Sequence, residues 1–186
     1  MSRVLVPLAQ GCEEIEAVTI IDLLRRAKIE VVSAGLDDQP VTASRGVRLI
    51  ADTTLDEALE QEFDMIALPG GMPGMTHLKN DPRIIALLQK MARAGKYTCA
   101  ICAAPAVLAD AGLLAGKSAT SYPGFVDMMN LPGVAYQNDP VVRDGKIITS
   151  RGPGTAMDFA LELIEVLAGK AQRDEVEAGL QRPGKF

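Results

Sequence analysis

The chain has 186 residues, 48% of them hydrophobic and 4% aromatic, with 19 basic and 24 acidic side chains and a formal charge of -5. That length predicts one domain spanning residues 1–186, with enough chain to bury a full core without disulfides or metals. The acidic balance excludes the basic stripe that sequence-independent nucleic-acid binding needs. No apolar run approaches the roughly 18 residues of a membrane span.

Taken in chain order, apolar runs of strand length alternate with longer stretches of helical period. Residues 4–9 predict a strand, 15–27 a helix and 30–35 a second strand. Weaker hairpin-like pieces lie around 41–43 and 47–51. The run 64–68 is a further strand, cut off by Pro69-Gly70-Gly71. Residues 81–94 predict a helix with Pro82 in the first turn, where its missing N–H is no loss. A strand at 97–101 leads into small residues suited to a tight helix entry, and another weak piece lies at 141–142. The last strand is 146–150, and the helix 155–168 stops at Gly169, with Thr155 as the predicted N-cap. From Ala171 onward the chain is polar, suggesting a short helix and a loose tail beyond Pro183-Gly184. Continuous apolar strands separated by helices predict an α/β fold, a mainly parallel sheet covered on both faces.

In such sheets chemistry sits beyond the carboxyl ends of the strands. This points to the loops 10–14, 69–75, 102–105 and 151–155, all rich in Gly, Pro or small residues. In the third, Ala100-Ile101-Cys102-Ala103-Ala104-Pro105 sets a cysteine between strand and helix. A nucleophile there is held on a sharp turn, and the following helix end favours thiolate. The alternative is a cysteine packed as a small hydrophobe. Cys99 and Cys102 match C-x-x-C, but an extended strand would set their Cα atoms roughly 10 Å apart. That exceeds the ~7 Å limit for a disulfide, so Cys99 is read as core. Cys12 follows the first strand and leaves two readings open, a resolving thiol or a bystander.

Stepping 100° per residue around the first helix puts Glu16 between Leu23 and Ala27, on the apolar arc. A carboxyl in that position tends to hold its proton, and a protonated Glu16 can donate a hydrogen bond to a thiolate. The opposing reading is a first-turn glutamate that reaches water. Capping accounts for Glu13 and Glu14. The breadth of the apolar arc suggests that this helix packs against more than its own sheet, for instance a second subunit. Gly70-Gly71 can present backbone amides to an anion, yet no Gly-Lys-Ser/Thr follows to make a phosphate loop. His77 is the single histidine. Nothing places it near a cysteine, so neither a Cys-His pair nor a metal site is predicted, and no cofactor motif is present.

Four segments, Gly11-Cys12-Glu13-Glu14-Ile15-Glu16, Leu68-Pro69-Gly70-Gly71, Ala100-Ile101-Cys102-Ala103-Ala104-Pro105 and Thr149-Ser150-Arg151-Gly152-Pro153-Gly154-Thr155, together resemble the DJ-1/ThiJ/PfpI superfamily, closest to its DJ-1 branch. The resemblance extends over nearly the whole chain. It implies a flavodoxin-like three-layer sandwich, a homodimer, a nucleophile-elbow Cys102, Glu16 as its protonated partner, and the Gly71 and Ala103 amides facing the sulfur or its oxidised oxygens. It further implies glyoxalase or protein deglycase activity on small reactive aldehydes or glycated groups. Ser121-Tyr122-Pro123 departs from the histidine before proline found in many relatives. A phenol of pKa near ~10 cannot serve as base at neutral pH, which argues against protease-like chemistry.

The functional expectation is an oxidative and carbonyl-stress protein of the cytoplasm, with Cys102 oxidised to sulfinate. The alternative is a redox-regulated, chaperone-like binding dimer using Met72, Met75, Met128 and Met129 as an adaptable surface. Neither a nucleic acid nor a membrane is an expected partner.

Overall fold

The computed structural model describes residues 2–183. In chain order the elements are β1 (Arg3–Leu8), α1 (Glu14–Arg26), β2 (Glu30–Gly35), β3 (Val41–Thr42), β4 (Arg48–Leu49), β5 (Thr53–Thr54), α2 (Leu55–Leu59) and β6 (Met65–Leu68). They continue with α3 (Gly74–Asn80), α4 (Pro82–Arg93), β7 (Tyr97–Ile101), α5 (Pro105–Asp110), β8 (Ser118–Ala119), β9 (Ala135–Tyr136), β10 (Val141–Asp144), β11 (Ile147–Ser150), α6 (Ala156–Ala168) and α7 (Lys170–Gly179). The central sheet has seven strands in the order β10-β11-β7-β6-β1-β2-β5. Every pairing in it is parallel except the β10–β11 hairpin. The predicted α/β sandwich with a mainly parallel central sheet is therefore the observed one.

Hydrophobic burial explains the layers. Every residue of β6 and β11 is buried, as are Val4 to Leu8 of β1 and Thr98 to Ile101 of β7. Strands enclosed on both faces need no polar alternation. The connection through α1 runs from β1 to β2, whereas that through α4 runs the opposite way, from β6 to β7. Right-handed crossovers then put α1 and α4 on opposite faces, with the switch in direction between β1 and β6. Helix α4 shows how sequence makes such an element: Ile84, Leu87, Leu88 and Met91 form its buried stripe. Asp81 caps it by accepting the Arg83 amide at 2.9 Å, and Pro82 opens the first turn.

Several expectations shift. The arc of α1 that suggested a second covering surface packs, within this chain, against α6. Ala17, Ile20, Leu23 and Leu24 are buried there, while Ile15 and Val18 are exposed. Thr155 does sit at the N-cap position of α6, but its hydroxyl turns back to Ser150 and Gly152 and caps no α6 amide. Short helices α2 and α3 occupy stretches without a predicted element; α3 starts from Pro73-Gly74 with no side-chain cap, which left no start signal to read. The polar carboxyl-terminal stretch does form a helix, α7, and the end of the expected loose tail lies outside the described residues.

Candidate active site

The loops after β1, β6, β7 and β11 meet at the carboxyl edge of the sheet, around the directional switch. The β7 strand ends at Ile101, and Cys102 takes φ +64°, a conformation that costs a non-glycine residue energy and lifts its side chain above the sheet. Its backbone is clamped from both sides: its amide donates to the Ser150 carbonyl at 2.9 Å, and its carbonyl accepts the Tyr122 amide at 2.8 Å. Cys102 keeps 8% of its surface exposed, so a small molecule can reach it.

Glu16, by contrast, is 0% exposed. Its Oε2 accepts the Gly70 amide at 2.8 Å, and the carboxyl also engages the Cys102 thiol. Oε1 makes no well-formed hydrogen bond, leaving that oxygen open to a proton. The backbone of the Gly70-Gly71 turn lies against both groups. A Cβ on Gly70 would come within 2.8 Å of Cys102 Cβ, and one on Gly71, at φ +90°, within 2.3 Å of the Glu13 amide nitrogen. Only glycine fits there. The turn is pinned by Glu13, whose amide donates to the Gly70 carbonyl at 2.9 Å and whose side chain caps α1 at the Glu16 amide. The amides of Ala103 and Gly71 both donate toward the sulfur.

Burial raises the Glu16 carboxyl to about 7, against the pull of the Gly70 amide and the Cys102 bond. Burial also pushes the Cys102 thiol up to about 12, helped by the negative charge of ionised Glu16 and opposed by the Ala103 and Gly71 amides. The expectation that the elbow favours thiolate is opposed by burial, which is the largest influence on the sulfur. Above about 7 the pair keeps a single proton, which these shifts favour on the sulfur with Glu16 ionised. When Glu16 carries it, the charge that opposes the thiolate is gone.

The other sequence candidates separate clearly. Cys99 is 0% exposed within β7, and burial raises its thiol. Cys12 is also 0% exposed, and burial together with Glu14 and Glu13 raises it to about 12. All three cysteines are free thiols. His77 is exposed on α3. Tyr122 stands 49% exposed beside the site, its ring edge-on to Phe125. Glu14 is not spent on capping: it accepts the Ser44 hydroxyl and the Arg45 amide, anchoring the turn between β3 and β4. Burial would raise Glu14, yet these donors hold it below the ordinary carboxylate value. The Gly70 amide on Glu16 had no signal in the sequence beyond the Pro-Gly-Gly run. Among the described residues no cluster of three or more His, Cys, Asp or Glu is placed to hold a metal, and no helix is long and apolar enough to cross a membrane.

A strained cysteine at a strand-to-helix elbow, facing a buried carboxyl across a Gly-Gly turn, defines the class: an α/β sandwich built around a nucleophile elbow. Residues 2–166 match the model of the DJ-1/PfpI family, and the chain belongs to that family. It is 44% identical over 178 residues to Protein dj-1beta of Drosophila melanogaster, covering 95% of both chains. It is 38% identical over 160 residues to the Glutathione-independent glyoxalase DJR-1.2 of Caenorhabditis elegans, covering 86% of this chain and 85% of that one. The solved structure of oxidized Toxoplasma gondii DJ-1 superposes with TM-score 0.93 at 44% identity, covering 98% of this chain and all of the other. Against Protein DJ-1 homolog A of Arabidopsis thaliana the identity is 42% over 177 residues, and the chain spans 94% of its own length but only 45% of that relative.

Proposed function

We propose that the chain is a cysteine-dependent glyoxalase, with protein deglycase activity on the corresponding adducts, and that peroxide oxidises the same sulfur. The observation that carries this reading is the 0% exposed carboxyl of Glu16 engaging the elbow thiol of Cys102. With the shared proton on Glu16, the Cys102 thiolate adds to the aldehyde carbon of an α-oxoaldehyde. The S–C bond forms, the C=O π bond opens, and Glu16 gives its proton to the new oxygen. Ionised Glu16 then takes the proton from the former aldehyde carbon and returns it to the neighbouring carbon, while the hydroxyl proton passes to the former ketone oxygen, giving a 2-hydroxyacyl thioester. Water cleaves the thioester, freeing the thiol and a 2-hydroxy acid, so the net change for methylglyoxal is addition of one water. The Gly71 and Ala103 amides are the donors to charge developing at the site. A deglycase begins with the same attack on a glycated group.

Peroxide attacks at the same sulfur: one equivalent leaves sulfenate and water, and a second leaves sulfinate and water. Protonated Glu16 and the two amides are the donors that a sulfinate needs in order to persist. The proposal extends to a homodimer, which the family resemblance implies, and to the cytoplasm, a compartment where free thiols such as these stay reduced. A chaperone-like surface draws on Met72 and Met128, which are exposed, whereas Met75 is part of the core. The test is methylglyoxal turnover beside intact mass across a peroxide titration, in wild type and in Glu16→Ala. Turnover to lactate and a stable gain of two oxygens on Cys102 are expected, with the sulfinate less stable in Glu16→Ala. Turnover that survives blocking of Cys102 would falsify the reading.

A further inference from the structure

The loop after β11 forms a cleft of about 290 Å³, with Tyr122 and Pro123 on one wall and residues 151–155 on the other. Both walls are tied to the backbone of the reactive cysteine. The Tyr122 amide donates to the Cys102 carbonyl, and the Cys102 amide donates to the carbonyl of Ser150, the residue before Arg151. The Tyr122 ring lies against Gly152, where an added Cβ would sit 3.2 Å from ring carbon Cδ2. The cleft is therefore a rigid extension of the elbow.

Arg151 is its one charged lining residue. Its Nη1 donates to the carbonyl of Asn138 at 3.2 Å and to Asn138 Oδ1 at 2.8 Å. Both acceptors are neutral, and among the described residues Arg151 makes no ion pair with any Asp or Glu. A guanidinium held in place without a counter-ion, in a cleft whose walls are hydrogen-bonded to the backbone of the nucleophile, is complementary to an acid group on whatever the nucleophile attacks. Methylglyoxal carries no such group.

We infer that Arg151 binds an acid group on the substrate, so that the site prefers α-oxoaldehydes bearing a carboxylate over neutral ones. The inference rests on the glyoxalase reading for the aldehyde end, but recognition of the anion does not require turnover. For 4,5-dioxopentanoate the steps are those given above: sulfur adds at the aldehyde carbon, one water is consumed, and 2-hydroxyglutarate leaves.

The first measurement is the rate of Cys102 alkylation by iodoacetate and by iodoacetamide, reagents of one shape that differ in charge. The iodoacetate-to-iodoacetamide ratio should exceed that of free glutathione in wild type, fall about tenfold in Arg151→Met, and be largely kept in Arg151→Lys. A ratio unchanged in Arg151→Met, even if both rates drop, overturns the assignment, as does a wild-type ratio no higher than that of glutathione. The second measurement is kcat/KM for 4,5-dioxopentanoate relative to methylglyoxal, which should fall by a similar factor in Arg151→Met. A shifted alkylation ratio in a protein that turns over neither aldehyde supports the Arg151 site and retires the glyoxalase reading. Turnover with ratios indifferent to Arg151 does the reverse.

Discussion

The two edges of the central sheet differ in what they bury. At the amino edge a cleft of about 150 Å³ runs between residues 61–63, the end of α4 and Lys96. Its apolar lining, Phe63, Leu87 and Met91, belongs to the core, and the nearby charges are solvated, as in the Lys96–Asp64 pair at 2.7 Å with both side chains about 40% exposed. At the carboxyl edge a carboxyl is sealed from water, a cysteine holds a positive φ, and glycine backbone fills the space between them. A site is marked by ionisable groups held where water cannot screen them, and the sheet places such groups where its chain direction reverses.

The sharpest way to break this contrast uses two cysteines three residues apart. Cys102→Ser should reduce methylglyoxal turnover to the uncatalysed background, whereas Cys99→Ala, inside β7, should leave turnover within about twofold and lower stability by about 1 kcal/mol through lost packing. Equal losses in both variants would erase the distinction between edge and core. Next in size, Glu16→Gln keeps an acceptor for the Gly70 amide but cannot move a proton, and kcat should fall by about 10²-fold. In wild type the Cys102 alkylation rate should rise with pH through about 7 and then level off, because one proton is shared from there upward. In Glu16→Gln the rate should keep climbing at alkaline pH, as a lone thiol does.

The same carboxyl leaves a mark on stability. Its pKa is raised from 4.5 to about 7 on folding, so between those values the folded state keeps a proton that the unfolded state has released. Stability is full below 4.5 and falls as pH rises through about 7, by a total on the order of 3 kcal/mol. Denaturant titrations at pH 4.5 and pH 8 should show that loss in wild type and a much smaller one in Glu16→Gln. The smallest effect belongs to the other edge: Lys96→Met, which breaks a solvent-exposed ion pair, should leave the urea midpoint nearly unchanged.

Much of this was legible before any coordinates. The apolar runs located the strands of the main sheet to within a residue or two, because strands buried on both faces are written as continuous hydrophobic stretches; the short edge strand β5, two threonines, carried no such run and was missed. Helical phase put Glu16 among Leu23 and Ala27, and the step from Ile101 to Pro105 put Cys102 on a corner. The hairpin of β3 and β4 was legible as two weak pieces at 41–43 and 47–51. Helix α3 was not, since Pro73 and Gly74 read as loop and the helix takes its position from the packing of Met75 and Leu78 in the core. Nor was the part played by Glu14, whose partners Ser44 and Arg45 lie about thirty residues away in the chain.

By itself, then, the amino-acid order determined the layers of the fold and which side chains face inward, since both follow from local periodicity and hydrophobicity. Whether a buried acid meets a thiol, which amide holds it, how far desolvation lifts both groups, and that Arg151 has no acidic partner among the described residues were decided only in three dimensions. Those properties depend on distances between segments far apart in the chain and on the exclusion of water, and no local pattern encodes either.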